Sequence, residues 1–215
     1  MSPEQVADAR HRIEAETDPT LKNLMLASWV TAEFREHGID LVVVGGSAIE
    51  FYTEGAYTSG DVDLCLLPGS SPLSLRQRQE VMGGLGAEGG PRNWRLAGLF
   101  VDVLGPLETS AHTRLRLLEG PFGPISLIQP EDLIAERVLV SVYPRENAEA
   151  RDLARKLLAV ALSGHLSIDW RELWRVAARP EYAILQQCRE LVASVAHELG
   201  IADPAHSPGS SDLVE

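Results

Sequence analysis

The sequence contains few of the residues that mark disulfide-stapled, zinc-binding or membrane-spanning proteins. Its 215 residues include two cysteines, Cys65 and Cys188, which form neither a disulfide framework nor a zinc-ligand pattern. The six histidines are scattered without metal-ligand spacing. No apolar run approaches the ~20 residues that a membrane-spanning helix needs, and the polar, acidic N-terminus differs from a signal peptide. We therefore expect a protein of the reducing cytoplasm with no membrane partner.

Positive charge is scarce as well. The formal net charge is −12, and only two lysines occur, Lys22 and Lys156. Such a balance argues against a broad nucleic-acid-binding surface, which would be basic. The charge is uneven, because residues 71–118 carry six arginines against four acids, while residues 1–60 carry four basic residues against ten acids. Arginine suits bidentate phosphate contacts, so the middle third is predicted to tolerate a phosphate-bearing ligand.

The remaining composition is that of a globular α/β protein, with 45% hydrophobic and 23% charged residues. The length suits one α/β domain with a helical extension. We expect a core with N-terminal helices over residues 1–129, a helical part over 130–202 and a disordered tail over 203–215. Periodicity and turn residues predict the following elements. The helices cover 3–16, 20–37, 73–85, 130–142, 146–162, 168–178 and 181–199, and the strands cover 39–44, a hairpin over 92–104, 113–118 and 125–129.

The chemistry is predicted to lie in residues 41–68. An apolar, β-branched run at 41–44 indicates a buried strand. A Gly45-Gly46-Ser47 turn and a short helix over 48–53 follow it. After a glycine-containing loop comes a second strand, which carries Asp61 and Asp63.

Asp61 and Asp63 are two residues apart, so both carboxylates are expected on one face of their strand. The other face takes the apolar side chains Val62, Leu64 and Leu66. Two charges are costly to bury, so the acidic face should be open to solvent or to cations. Mg²⁺ is the natural counter-ion for two adjacent hard oxygen ligands.

The Gly45-Gly46-Ser47 turn, a thirteen-residue gap and Asp61-Val62-Asp63 together resemble a known signature. It is the glycine-serine and DxD pattern of the DNA polymerase beta-like nucleotidyltransferase superfamily. The sequence around this signature is similar to that of small prokaryotic members of the AbiEii-like, toxin-related and uncharacterised kind. The resemblance is good over residues 42–66 and thinner to about residue 155. It implies an α/β (α+β) fold, with a mixed sheet flanked by helices and a helical C-terminal part.

The resemblance also implies roles for individual residues. A third acid on a later strand completes the site, and Asp102 between two valines fits that position. Three carboxylates can hold two Mg²⁺ ions, with Mn²⁺ as a substitute. Gly46 and Ser47, at a turn that begins with Gly45, would grip the β- and γ-phosphates of a nucleoside triphosphate. Alternatively, Asp102 sits on a solvated edge strand, and the glycine pair closes an ordinary loop.

Further candidates surround this signature. Ser59 would hold a phosphate or the loop before the second strand, the alternative being turn chemistry. Arg137 stands near a position where relatives often carry lysine, which keeps the charge but changes its geometry. Glu50 is expected to be a solvated helix residue. Tyr52 and Tyr57 are more often packing residues than base-stacking ones.

The function that the resemblance implies is Mg²⁺-dependent transfer of a nucleoside monophosphate from an NTP to an acceptor hydroxyl, with release of pyrophosphate. The acceptor stays open between a tRNA 3′ end, a cationic small molecule and a protein side chain. A toxin with a cognate antitoxin is compatible with this activity. Two alternatives stand beside it. One is a catalytically weak nucleotide- or partner-binding module of the same fold, and the other is an unrelated α/β domain with a fortuitous motif.

Overall fold

The structure, a computed structural model, describes residues 2–67 and 73–204. The chain divides into two compact units. The first comprises Met1–Glu108 and Leu115–Ile128, and the second comprises Thr109–Arg114 and Gln129–Glu215. Residues 68–72 lie outside the described residues, as do residues 205–215 of the tail predicted over 203–215.

Fifteen helices and strands make up the described chain. Those of the first unit are α1 (Pro3–Ala15), α2 (Pro19–Glu36), β1 (Leu41–Val44), α3 (Gly45–Tyr52), β2 (Asp61–Leu66), α4 (Leu75–Gly84), β3 (Glu88–Gly89), β4 (Asn93–Leu96), β5 (Leu99–Pro106), β6 (Arg116–Gly120) and β7 (Gly123–Leu127). Those of the second are α5 (Pro130–Val142), α6 (Ala148–Leu162), α7 (Trp170–Ala177) and α8 (Leu185–Leu199). None of the helices described is long and apolar enough to cross a membrane.

The first unit is built on one seven-stranded sheet of order β3-β4-β5-β2-β1-β7-β6. β1 runs antiparallel to β2 and parallel to β7, and β2 runs parallel to β5. Helix α2 packs on this sheet and buries Leu26, Trp29 and Phe34 completely. The predicted fold class, a mixed sheet with flanking helices and a helical C-terminal part, is confirmed.

The strands of the predicted site alternate between the core and the open face of the sheet. Val62 and Leu64 on β2 are fully buried, and so are Val101 and Val103 on β5. The acids between them are only half-buried. This alternation is what the period of two along a strand predicts.

Helix α3 differs from expectation in two ways. It begins at Gly45 rather than at residue 48, directly after the extended N-cap Val44, and Gly45 itself has a positive φ of +60°. Its residues from Ser47 to Tyr52 are all buried. The expectation of a solvated Glu50 is therefore wrong. This helix is almost uniformly apolar, and such a helix is buried on every side.

The β4–β5 hairpin turns at Ala97 and Gly98, which have φ values of +50° and +79°. Two successive positive φ values are typical of the type I′ turn that joins tightly paired strands. The turn fixes the register, so that Asn93 lies opposite Asp102. The predicted hairpin is confirmed, whereas the short strand β3 beside it was not predicted.

In the second unit, buried acids bind the backbone of residues 109–114. Asp132 Oδ1 accepts hydrogen bonds from the N–H groups of Ser110 and Ala111, both at 2.9 Å. Glu172 accepts from Arg175 and from the N–H of His112. The hydrogen bond from Arg175 is the main cause that lowers the pKa of Glu172 from 4.5 to about 2, with a smaller contribution from the His112 N–H.

Replacing Glu172 by Gln should change how stability depends on pH. A carboxylate whose pKa is depressed in the folded state stabilises the fold above its unfolded pKa, and this contribution disappears on acidification. We expect the difference in unfolding free energy between wild type and Glu172→Gln to be full above about pH 4.5 and to shrink towards pH 2. Urea unfolding from pH 2 to 7 measures it, with exposed Glu149→Gln as control. A difference that stays constant over this range would contradict the assignment.

Candidate functional site

Three carboxylates meet on the open face of the sheet. Asp63 on β2 lies directly opposite Asp102 on the parallel strand β5, and Asp61 precedes Asp63 on the same face. One oxygen from each of the three lies within 4.8 Å of the others, and all three side chains are half-buried. Such a set of hard oxygen ligands fits a divalent cation such as Mg²⁺.

Asp102 is held by a residue that sequence analysis missed. The side-chain amide of Asn93 donates to both carboxylate oxygens of Asp102, at 2.7 Å each. Asn93 is its direct cross-strand partner, so the two side chains share one face of the sheet. The sequence contained the information for this contact, because a two-residue turn at Ala97-Gly98 places Asn93 opposite Asp102. The bond orients the carboxylate that the resemblance assigns as the third ligand.

The start of α3 lies against the acids. An ideal Cβ on Gly45 would be 2.5 Å from Asp63 Oδ2, so only glycine fits there without a shift of that side chain. The hydroxyl of Ser47 accepts a hydrogen bond from the Asp63 N–H at 3.2 Å and donates to the Val44 carbonyl at 3.1 Å. Ser47 is fully buried. Its side chain therefore joins β1, α3 and β2, and its phosphate-binding role stays a prediction.

Ser59 connects the glycine turn to the first acid. Its hydroxyl donates to Asp61 Oδ1 at 3.3 Å, and an ideal Cβ on Gly46 would be 2.6 Å from the same hydroxyl. Ser59 itself is buried. The structure therefore brings seven of the eight predicted site residues together in the first unit: Gly45, Gly46, Ser47, Ser59, Asp61, Asp63 and Asp102.

The eighth, Arg137, belongs to α5 in the second unit. Its Nη2 donates to Glu136 Oε1 at 2.6 Å, and its side chain is mostly buried. Its proposed contact with the nucleotide stays a prediction.

The two tyrosines near the motif lie in different surroundings. Tyr52 is buried, and its hydroxyl donates to the Ile128 carbonyl at 2.6 Å, which is a packing role. Tyr57 is half-buried, and its hydroxyl lies 3.3 Å from the ideal Cβ position of Gly46. Of the two, only Tyr57 borders the glycine turn.

The arginines of residues 71–118 are less available than their number implies. Arg78 is buried and donates to the carbonyls of Pro91 and Leu104, at 3.2 Å each. Burial lowers the pKa of its guanidinium, with a smaller effect from nearby Arg92. Arg76 pairs with Glu80 at 2.8 Å. Buried Arg78 therefore serves the structure of the first unit, whereas the side chain of Arg76 is 87% exposed.

The fold is similar to solved nucleotidyltransferase-like structures. An antigenic nucleotidyltransferase-like protein from Paracoccidioides brasiliensis is 15% identical, with a TM-score of 0.53 over 80% of this chain and 91% of that one. The antibiotic-resistance factor ANT(2'')-Ia in solution is 13% identical, with a TM-score of 0.49 over 82% and 92%. Its crystal structure with adenylyl-2''-tobramycin is 15% identical, with a TM-score of 0.44 over 82% and 98%. No protein-family model and no curated protein matches the sequence. The likeness to the Paracoccidioides protein shows that the fold is of the nucleotidyltransferase type.

Gly45→Ala should disrupt the acidic cluster. The added methyl group would collide with Asp63 Oδ2, and a φ of +60° is unfavourable for alanine by about 1–3 kcal/mol. We expect Mn²⁺ affinity, measured from the free-ion signal in electron paramagnetic resonance, to fall about tenfold or more.

Gly60→Ala is the matched control, because Gly60 directly precedes Asp61 but its Cβ would meet nothing within 4 Å. Circular dichroism checks that both variants fold. Equal Mn²⁺ affinity in Gly45→Ala and Gly60→Ala would refute the close approach of Gly45 to a metal-binding Asp63.

Proposed function

We propose that this protein is a Mg²⁺-dependent nucleotidyltransferase that transfers a nucleoside monophosphate from an NTP to an acceptor hydroxyl. One observation carries the proposal: three carboxylates converge within 4.8 Å on an open sheet face, directly beside the glycine-rich start of a helix. Each feature alone is common. Together they provide ligands for cations next to a site for phosphate, which is what NTP chemistry requires.

Asp61, Asp63 and Asp102 would hold the metal. Bound Mg²⁺ would neutralise phosphate charge and lower the pKa of the acceptor hydroxyl. Asp102 would have a second role. Asn93 orients its carboxylate plane through two hydrogen bonds. In this proposal the Asp102 carboxylate would accept the proton that the acceptor hydroxyl loses.

The first turn of α3 would receive the phosphates. The first N–H groups of a helix have no partner within it, and Val44 at the N-cap provides no side-chain hydrogen bond. The helix dipole adds positive potential there. Because the Ser47 hydroxyl already bonds to Val44 and Asp63, we assign the phosphate contact to backbone N–H groups of residues 45–47 rather than to that hydroxyl.

Every bond formed or broken and every proton transferred in the proposed reaction is accounted for as follows. The acceptor oxygen forms a bond to the α-phosphorus, and the bond from that phosphorus to the oxygen bridging it to the β-phosphorus breaks. Pyrophosphate leaves with the electron pair of the broken bond. The acceptor proton passes to the Asp102 carboxylate and from there to solvent.

A small cationic acceptor fits this chain better than tRNA. The chain carries a net charge of −12, and among the arginines between 71 and 118 Arg78 is buried and Arg76 is paired with Glu80. The other four are Arg92, Arg95 and Arg114, which are exposed, and Arg116, which is half-buried. Four arginines are a small surface for a polyanion. A toxin role and a cognate antitoxin stay predictions from the sequence.

Asp63→Ala should abolish transfer. With each of the four α-labelled NTPs, Mg²⁺ and either bulk tRNA or an aminoglycoside mixture, we expect the wild type to release pyrophosphate and label one pool. Loss of a metal ligand should reduce the rate at least about 100-fold, equivalent to about 3 kcal/mol of transition-state stabilisation.

Asp40→Ala is the control, because Asp40 is an exposed acid that directly precedes β1. It should retain wild-type transfer. Full activity in folded Asp63→Ala would rule out the proposal. NTP binding without pyrophosphate release in the wild type, with both acceptor pools, would favour the binding module instead.

A further inference from the structure

Glu50 is a fully buried acid beneath the candidate site. It lies in the middle of α3, and none of its surface is exposed. Burying a carboxylate is costly unless its oxygens are hydrogen-bonded. Only Oε2 meets this condition, because Oε1 has no hydrogen-bond partner among the described residues. A role in stability alone explains such a residue poorly, since an apolar side chain of similar size would avoid the cost.

The bonded oxygen of Glu50 holds Ser59. Oε2 accepts a hydrogen bond from the Ser59 N–H at 3.0 Å and another from Asn23 Nδ2 at 2.9 Å. The same Asn23 amide donates to the Ser59 carbonyl at 3.3 Å. Both backbone polar groups of Ser59 are therefore fixed, one by α3 and the other by α2.

The position of Ser59 in turn bears on the acidic cluster. Its hydroxyl donates to Asp61 Oδ1 at 3.3 Å and lies against the backbone of Gly46. A shift of the Ser59 backbone would move this hydroxyl away from Asp61. Glu50 is thus linked to Asp61, a candidate metal ligand, through Ser59 and two hydrogen bonds.

We infer that Glu50 is a positioning residue of the metal site. It holds Ser59 so that the Asp61 carboxylate is oriented before a cation binds, and it couples this orientation to the helix that would receive the phosphates. The inference rests on the proposed function, because it assigns Glu50 to the metal site of that function. Side chains that orient metal ligands commonly change metal affinity about 10–100-fold when they are removed.

The test measures Mn²⁺ binding to the full chain by electron paramagnetic resonance and does not depend on turnover. Glu50→Ala removes the acceptor of the Ser59 N–H, so we expect Mn²⁺ affinity to fall about tenfold or more. Glu50→Gln keeps an acceptor oxygen in the same place while removing the charge. We expect it to restore affinity close to the wild-type value.

Ile49→Ala separates positioning from general destabilisation. Ile49 is the neighbouring residue on α3 and is also fully buried, but it is apolar. Urea unfolding should show reduced stability in Ile49→Ala, while its Mn²⁺ affinity stays at the wild-type value. Should Glu50→Ala fail to fold, Asn23→Ala replaces it, because that change removes the amide that bonds to both Glu50 and Ser59.

Three results would overturn the inference while leaving the proposed function intact. The first is wild-type Mn²⁺ affinity in Glu50→Ala, or in Asn23→Ala where that variant replaces it. The second is an equal loss of affinity in Ile49→Ala, and the third is an equal loss in Glu50→Gln. A wild-type protein that binds no Mn²⁺ would overturn the proposed metal site itself, and the inference with it.

Discussion

The parallel pairing of β2 with β5 is the constraint on which the candidate site depends. It sets Asp63 opposite Asp102 and, through the period of two along each strand, directs Asp61 to the same face. A slip of one residue in this register would turn Asp102 towards the core and bring Val101 or Val103 to the open face. The other neighbour of β2 is β1, which ends where α3 begins. The glycine turn therefore meets the acids because β2 lies between β1 and β5.

Three acids on one sheet face repel one another, and the fold offsets part of this by aiming hydrogen-bond donors at two of them. Asn93 donates to both oxygens of Asp102, and the hydroxyl of Ser59 donates to Asp61. The Asp63 N–H is fixed by Ser47. Such neutral donors orient carboxylates without neutralising them. The negative charge of the cluster therefore remains available to a cation, which an arginine in any of these positions would have prevented.

Local features of the fold and site could be predicted from the sequence, and nonlocal ones could not. The alternation of buried and half-buried side chains around Asp61 and Asp63 depends only on residues adjacent in the sequence. The same is true of the tight turn at Ala97-Gly98. The two-residue hairpin turn also sets Asn93 opposite Asp102, so this contact is predictable from the sequence. The pairing of β2 with β5 joins residues about forty positions apart, and only the superfamily resemblance suggested it. The burial of Glu50 was not predicted because a single acid in a short helix gives no periodicity, although its neighbours Ala48, Ile49 and Phe51 are apolar.

The structure also shows that not every arginine counted in the sequence is available to a ligand. In the first unit, Arg10 donates to the Gly86 carbonyl, Arg35 to that of Pro124, and Arg78 to those of Pro91 and Leu104. These arginines hold loops and strand ends in place, so they are not a reserve of charge for a ligand. An NTP carries several negative charges and would approach three carboxylates in a chain of net charge −12. Arg10, Arg35 and Arg78 bond to backbone carbonyls, so in the proposed function divalent cations would supply positive charge beside the acids. The proposed metal dependence thus rests on the roles of these arginines as well as on the three acids.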